Sequence, residues 1–208
     1  VSDLLWLKSS GLADRILSAS MRGVPVIGVC GGFQMLGVRV VDSGVEGGFE
    51  DEYSGLGLLD VVTMFEGYGK VTTRVAAELL GDCEMLASAR GMVVSGYEIH
   101  MGRTSLGQEV KPFFKIIESN GRDTCRFDGA VSRDGLVFGT YIHGLFDSPP
   151  LRRALIEFLC RRRGLSCGEG QRNDVKEEWR KSLSVVAETV RMHVDVAKVF
   201  EAIGLPYR

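Results

Sequence analysis

No apolar run in this chain approaches the roughly 20 residues a helix needs to cross a bilayer. Nor do its first residues carry the basic-plus-apolar pattern of a secretion signal. Charge of one sign is missing too. The 25 Lys and Arg against 27 Asp and Glu leave a formal net charge of −2, which argues against a nucleic-acid or membrane-surface protein. The five cysteines, at positions 30, 83, 125, 160 and 167, include no C-x-x-C pair. An odd, scattered set argues against a disulfide framework or a zinc site, and for a reducing, cytoplasmic compartment. Nucleotide motifs fail as well. Gly55-Leu56-Gly57 is followed by Asp60 where a dinucleotide fingerprint needs its third glycine. Gly69-Lys70 has Met64 in place of a phosphate loop's first glycine and Val71 in place of its Ser/Thr.

What is present is organised around Pro25–Gly37. A short apolar run, Val26-Ile27-Gly28-Val29, ends at Cys30, and a helix-compatible segment follows. Gly28-x-Cys30-x-Gly32 has the small-x-nucleophile-x-small form of a nucleophile elbow, with sulfur in place of a serine oxygen. A side chain lifted onto so tight a strand-to-helix turn strains the backbone, and positions 28 and 32 are expected to be small to avoid clashes. The turn sets the thiol at a helix N-terminus, which favours thiolate. It also points the Gly31 amide at the place where an oxyanion would form.

At 208 residues with 45% hydrophobic content, the chain suits one sizeable domain. It opens at Val1 without a methionine and reads as a piece of something longer. Residues 3–9 and 12–21 read as helices, the second with a stripe of Leu12, Ile16 and Ala19–Met21. With the run before Cys30 they make an αβα unit, expected of a mostly parallel sheet covered on both faces. Residues 43–57, rich in glycine and acid, read as an exposed loop. From 58 to 142, six runs rich in β-branched or aromatic residues predict an added, partly antiparallel β section. They are 58–64, 70–76, 92–100, 113–118, 127–131 and 136–142, the last two joined by a hairpin at Ser132-Arg133-Asp134-Gly135. Ser148-Pro149-Pro150 starts a helix buried through Leu151, Leu155, Phe158 and Leu159 and stopped by Gly164. Arg161-Arg162-Arg163 complements its C-terminal end. A polar linker at 165–173 leads to a last helix, capped by Asp174-x-x-Glu177, whose stripe of Val175, Trp179, Leu183, Val186 and Val190 is expected to pack on the domain.

A cysteine nucleophile needs a base, and the chain has only three histidines. His143 follows the strand 136–142 and stands beside Gly144, where it can reach across a sheet edge to a neighbouring elbow. His100 lies in a polar cluster, Gly96-Tyr97-Glu98-Ile99-His100-Met101-Gly102-Arg103-Thr104. His193 reads as surface.

These segments carry a resemblance. Ser2–Ala13, Pro25–Gly37, Gly96–Thr104 and Gly139–Asp147 are similar to the glutaminase domain of the cobyric acid synthases, a class I (triad-type) glutamine amidotransferase family of cobalamin biosynthesis. The likeness covers nearly the whole chain, and the Gly96–Thr104 cluster is its most specific part. It implies a flavodoxin-like class I amidotransferase sheet with helices on both faces and N-terminal strands missing. It implies Cys30 as nucleophile on the side-chain amide of L-glutamine, His143 as base and then acid, and Gly31 as oxyanion donor. Substrate contacts fall to Gln34, Glu98 and His100. The domain itself takes no metal or cofactor; ATP and magnesium belong with a partner synthetase domain, which amidates a corrinoid, adenosylcobyrinic acid a,c-diamide. Glu98 or Asp147 is a candidate to orient His143, since Leu145 stands where class I triads place a glutamate. Alternatives that share parts of this pattern are a glutaminase subunit of another amidoligase, such as a lipid II type, a non-catalytic α/β module, and a cysteine peptidase with the same elbow.

Family members carry a strand and a Pro-Gly-Ser loop just upstream of Ser2, and that loop is expected to supply a second oxyanion amide. Loss of one such donor typically lowers the rate by about 10²–10³. This 208-residue chain alone is therefore expected to release glutamate from glutamine slowly; turnover at ordinary enzymatic rates in a glutamate-release assay contradicts that.

Overall fold

A computed structural model describes residues 1–47, 50–80, 83–168 and 175–206. The chain forms two compact units, Val1–Gly168 and Glu169–Arg208. In the first, helices α1 (Ser2–Ser9) and α2 (Leu12–Met21) are joined at Gly11, whose φ of 74° lies in the left-handed region glycine tolerates. The α2 stripe is rotated from the expected one. Ala13 is buried, Ile16 and Leu17 pack beside it, and Leu12 and Met21 face outward. Strand β1 (Val26–Val29) and helix α3 (Gly31–Leu36) follow, then β2 (Arg39–Ser43), β3 (Glu50–Ser54), β4 (Val61–Phe65) and β5 (Val71–Leu79). A 3₁₀ helix at Glu84–Ala89 leads to β6 (Val93–His100), β7 (Arg103–Leu106), β8 (Val110–Ser119), β9 (Arg122–Ser132), β10 (Val137–Thr140) and β11 (Ile142–His143). After a short 3₁₀ turn at Leu145–Asp147 comes helix α4 (Pro149–Arg162).

Seven strands form one sheet in the order β1-β10-β9-β8-β5-β6-β11, and four form a second in the order β3-β2-β4-β7. Among the described strands, parallel pairing is confined to β1 with β10 and β2 with β4, so the antiparallel section is the larger part. The two ends of the large sheet are tied by sequence. β11 continues β10 through Tyr141 alone, but hydrogen-bonds to β6 instead of β1 and β9. The strands therefore curl until the end of β6 faces the end of β1. Gly96 makes this approach possible, because a Cβ there would fall 2.4 Å from the His143 carbonyl oxygen.

The predicted 132–135 turn is present. Gly135 has φ 68° and donates to the Ser132 carbonyl (3.0 Å), while Ser132 Oγ donates to Asp134 (2.6 Å). The loop predicted at 43–57 is not a plain loop. Its second half is β3, paired antiparallel with β2. Its first turn wraps the buried Asp42 carboxylate, which accepts amides from Val45 (2.8 Å), Glu46 (3.1 Å) and Gly47 (2.6 Å). Burial alone would raise that carboxyl's pKa, but the backbone donors win and hold it below the ordinary range. Acidic and glycine-rich composition hid a strand whose partner is Arg39–Ser43.

One core lies between the large sheet and α4, with Phe113, Phe114, Phe138, Ile142, Leu151 and Phe158. Leu145 joins it, buried to 2% exposure. On α4, Leu151, Ala154 and Phe158 are buried and Leu159 is exposed. Ser148 occupies the N-cap without a side-chain bond, and Pro149 and Pro150 open the first turn. The other face is packed by α1, α2 and α3 through Leu7, Ala13, Phe33 and Leu36, with Leu59 and Tyr141 in the same cluster. In the second unit α5 (Val175–His193) carries Trp179, Leu183, Val186 and Val190 at helical spacing, and Asp195 caps α6 (Val196–Ala202) by accepting the Lys198 amide (3.2 Å). Asp174, the expected cap of α5, lies outside the described residues.

Packing at Gly55 gives a test. A Cβ there would lie 1.9 Å from the Gly37 carbonyl oxygen, whereas one on Gly69 meets nothing within 4 Å. Gly55→Ala is expected to destabilise by about 1–3 kcal/mol and lower Tm by roughly 2–4 °C for each of them. Gly69→Ala should leave a thermal melt unchanged.

Candidate active site

Cys30 ends β1 at φ 54°, ψ −117°. Among the described residues only Asn120 is another non-glycine at positive φ. A β-carbon in that region strains the chain by about 1–3 kcal/mol, and such residues persist where surroundings over-determine them. Here they do. The Cys30 amide donates to the Thr140 carbonyl (2.9 Å), one step beyond the parallel register that sets Val29 beside Thr140. The Cys30 carbonyl accepts the Gln34 amide (3.2 Å) in the first turn of α3. Gly28 must be glycine, since a Cβ would fall 2.6 Å from Leu36 Cδ1 and 2.8 Å from the Gly32 backbone. Position 32 itself is different from the sequence-based expectation. A Cβ on Gly32 meets nothing within 4 Å, so the clash requirement falls on Gly28. Gly139 on β10 is fixed by Phe33, whose Cδ2 would sit 2.0 Å from an added Cβ.

The Cys30 thiol donates to the Ile99 carbonyl at 3.2 Å, across the gap that the curled sheet closes. It lines a cavity of about 310 Å³ shared with Gly31, Gln34, Ile99, His100 and Met101. Gly31 is the first residue of α3, where an amide has no helical partner. Gln34 spends its amide nitrogen on the protein, donating to the Met101 carbonyl (2.9 Å) and the Tyr141 hydroxyl (3.1 Å). Tyr141 continues the chain of bonds to Thr104 (2.5 Å), and Thr104 to Thr63 (2.8 Å). The Gly96–Thr104 cluster is thus tied to the thiol's own helix.

His143, on β11 opposite Tyr97, does not line that cavity, but its Nε2 is buried without a hydrogen-bond partner. Like Cys30, it emerges past the carboxyl end of one of the paired parallel strands β1 and β10. Glu98 faces the other way, into a larger cleft of about 980 Å³ with Arg126 and Asp128; His100 borders both spaces. Glu98 is taken up by a bidentate pair with Arg126, one arm at 2.8 Å, and by His100 Nε2 (3.2 Å) and Thr73 (3.2 Å). Asp147 donates its amide to the Gly144 carbonyl (3.0 Å), and its carboxylate makes no bond to His143 Nε2. His100 also meets the Gly102 carbonyl through Nδ1 (3.2 Å) and stacks on Tyr141 at 3.8 Å. Both ring partners are acceptors, so the ring serves both only with both nitrogens protonated.

Sequence reasoning missed Tyr141, Arg126, Asp128 and Thr140. Arg126 and Asp128 sit two apart on β9 and so share a face, which was the available signal. The Ile99 carbonyl is a backbone atom and left none.

The fold is that of the class I glutamine amidotransferases; in this chain the strand before the thiol turn is an edge strand of the seven-stranded sheet. The PurLQS structure from Thermotoga maritima superposes with a TM-score of 0.52 at 19% identity, covering 71% of this chain and 68% of that one. Residues 1–151 match the CobB/CobQ-like glutamine amidotransferase domain, and the chain belongs to that family. It is 45% identical over 202 residues to a cobyric acid synthase of Photorhabdus laumondii and 43% identical over 210 to one of Pelotomaculum thermopropionicum. These alignments cover 97% and 98% of this chain but 39% of each relative, so it spans about two fifths of their length. No helix among the described residues is long and apolar enough to cross a membrane.

Two carboxylates give opposite pH dependences. Burial would raise Glu98, but its bonds to His100 and Arg126 and their charges hold it at about 2. Its stabilising share is full above pH 4.5 and lost as pH falls toward 2. Burial pushes Asp128 up to about 6 despite its bonds to Thr140 and Tyr141, so the folded state favours its proton and stability falls as pH rises from 3.8 to 6. In thermal melts across pH, Glu98→Gln is expected to flatten the acid limb below pH 4.5 and Asp128→Asn the decline between 3.8 and 6. Unaltered limbs contradict these assignments.

Proposed function

We propose that this domain hydrolyses glutamine through a thioester on Cys30. The observation that carries the reading is the strained turn, which sets that thiol on a cavity beside Gly31 and Gln34 in a chain of amidotransferase family. The side-chain carboxamide of L-glutamine enters the cavity and the sulfur attacks its carbonyl carbon as His143 takes the thiol proton. Nε2, the buried nitrogen no protein group satisfies, is the atom for that step. The Gly31 amide donates to the oxygen as it becomes negative. His143 returns the proton to the leaving nitrogen, ammonia departs, and water deprotonated by the same imidazole hydrolyses the glutamyl thioester to glutamate and free thiol. No orienting acid is needed at position 145, because a thiol depends on its base less than a hydroxyl does. Leu145 serves the core instead. Gln34 and His100 shape the substrate cavity, and Glu98 holds His100 in place.

The ammonia passes to an ATP- and magnesium-dependent synthetase domain in the cytoplasm, which amidates the b, d, e and g carboxylates of adenosylcobyrinic acid a,c-diamide. The similarity to two cobyric acid synthases over nearly all of this chain supports that assignment.

A glutamine-analogue chloroketone tests the site. It is expected to alkylate Cys30 once per chain, with glutamine protecting. Cys30→Ala should abolish labelling and glutaminase activity, and His143→Ala should lower activity by about 10²–10⁴. Labelling at another cysteine, or turnover by Cys30→Ala, overturns the reading.

A further inference from the structure

Between the thiol turn and the imidazole runs a bend that the sheet's ladder does not hold on one side. Pairing of β9 with β10 stops at Ala130 opposite Gly139, and β11 begins at Ile142 on a different neighbour. Beyond that point a side chain takes over from the strand. Asp128 of β9 accepts the Tyr141 amide at 3.2 and 3.3 Å through its two oxygens, and accepts the Thr140 hydroxyl. That hydroxyl in turn accepts the Ile142 amide at 3.0 Å. Asp128 is 5% exposed and Thr140 fully buried, so water competes little for these bonds. Gly129, at φ 71°, lets β9 bend close enough, since a Cβ there would fall 2.3 Å from the Gly139 carbonyl oxygen.

The amide that Asp128 receives belongs to the Thr140–Tyr141 peptide. The carbonyl of that same peptide accepts the Cys30 amide at 2.9 Å. One peptide plane thus links a buried carboxylate to the backbone of the thiol residue. A carboxylate on the N–H end polarises the plane and makes its carbonyl a stronger acceptor. The Thr140 hydroxyl meanwhile fixes the amide that opens the strand bearing His143.

We propose that Asp128 is a positioning residue for glutamine hydrolysis, holding the Cys30 turn through the Thr140–Tyr141 peptide and the His143 strand through the Thr140 hydroxyl. The proposal rests on the reading of Cys30 and His143 as nucleophile and base. Asp128 lines the larger cleft and not the thiol cavity, so it acts through the backbone and not on glutamine. Its loss should therefore appear in turnover more than in substrate affinity.

Asp128→Asn in the full chain keeps the size and removes the charge. Its kcat for glutamate release is expected to fall about 10²-fold, the scale of a small misplacement of reacting groups. KM should stay within about threefold, and chloroketone labelling of Cys30 should slow in step with kcat. An unchanged kcat and labelling rate, or a loss in KM alone, overturns the proposal. Should the variant not fold, Thr140→Val, which at nearly constant volume removes the hydroxyl that donates to Asp128 and accepts the Ile142 amide, is expected to lose kcat roughly tenfold with the same split; unaltered kcat there overturns it equally. Cys30→Ala run alongside separates the two failures. If it is inactive while Asp128→Asn is fully active, only the positioning role falls; if it still turns over, the nucleophile reading falls first.

Discussion

One strained residue sets the terms for the rest of this domain: a β-carbon at φ 54°, held where L side chains seldom go. The neighbours that hold it come from distant parts of the chain. β10 supplies the carbonyl that anchors the Cys30 amide, and Gly28 lets α3 turn back so sharply that its own side chain would collide with Leu36. The Phe33 ring then fills the space a Cβ on Gly139 would take, so that the helix and the neighbouring strand interlock. Each glycine in the stretch answers to a contact within 3 Å, apart from Gly31 and Gly32, where an added Cβ meets nothing within 4 Å, and Gly31 lines the thiol cavity. Open space is what a reacting carboxamide requires.

The second constraint is the change of partner between β10 and β11. A strand that leaves β1 and joins β6 brings the opposite ends of a seven-stranded sheet together. The carbonyl of Ile99, 69 residues from Cys30, thereby reaches the thiol, and Gln34 can bridge to Met101 and Tyr141. The polar cluster around His100 gains its meaning from this closure. It forms the wall between the thiol cavity and the larger cleft, with Glu98, Arg126 and a stacked Tyr141 behind it.

Much of this could be read from residue types alone. The elbow was legible because its glycines and cysteine fall within five residues at fixed spacing, and the β section because its apolar runs are short and bounded by turns. β2, β3 and β7 were not. Their sequences, RVVDS, EDEYS and RTSL, carry too little apolar alternation, and their order as a second sheet comes from pairing across the chain. The α2 face was misjudged because Leu12 and Met21 are apolar yet exposed, which amphipathic patterning cannot distinguish from burial. Glu98 was selected as polar and near the site, but only coordinates reveal that Arg126 occupies it. Asp128 escaped because its role runs through one peptide plane, and a backbone leaves no residue-type signature.

The most direct measurement is a crystal structure of the protein with Cys30 alkylated by a glutamine-analogue chloroketone. The sulfur is expected to carry the adduct, with its carbonyl oxygen on the Gly31 amide and His143 Nε2 within about 3–3.5 Å of the sulfur. An adduct that leaves the imidazole facing a separate space, or points its carbonyl away from Gly31, would contradict the pairing of sulfur and imidazole on which everything above depends.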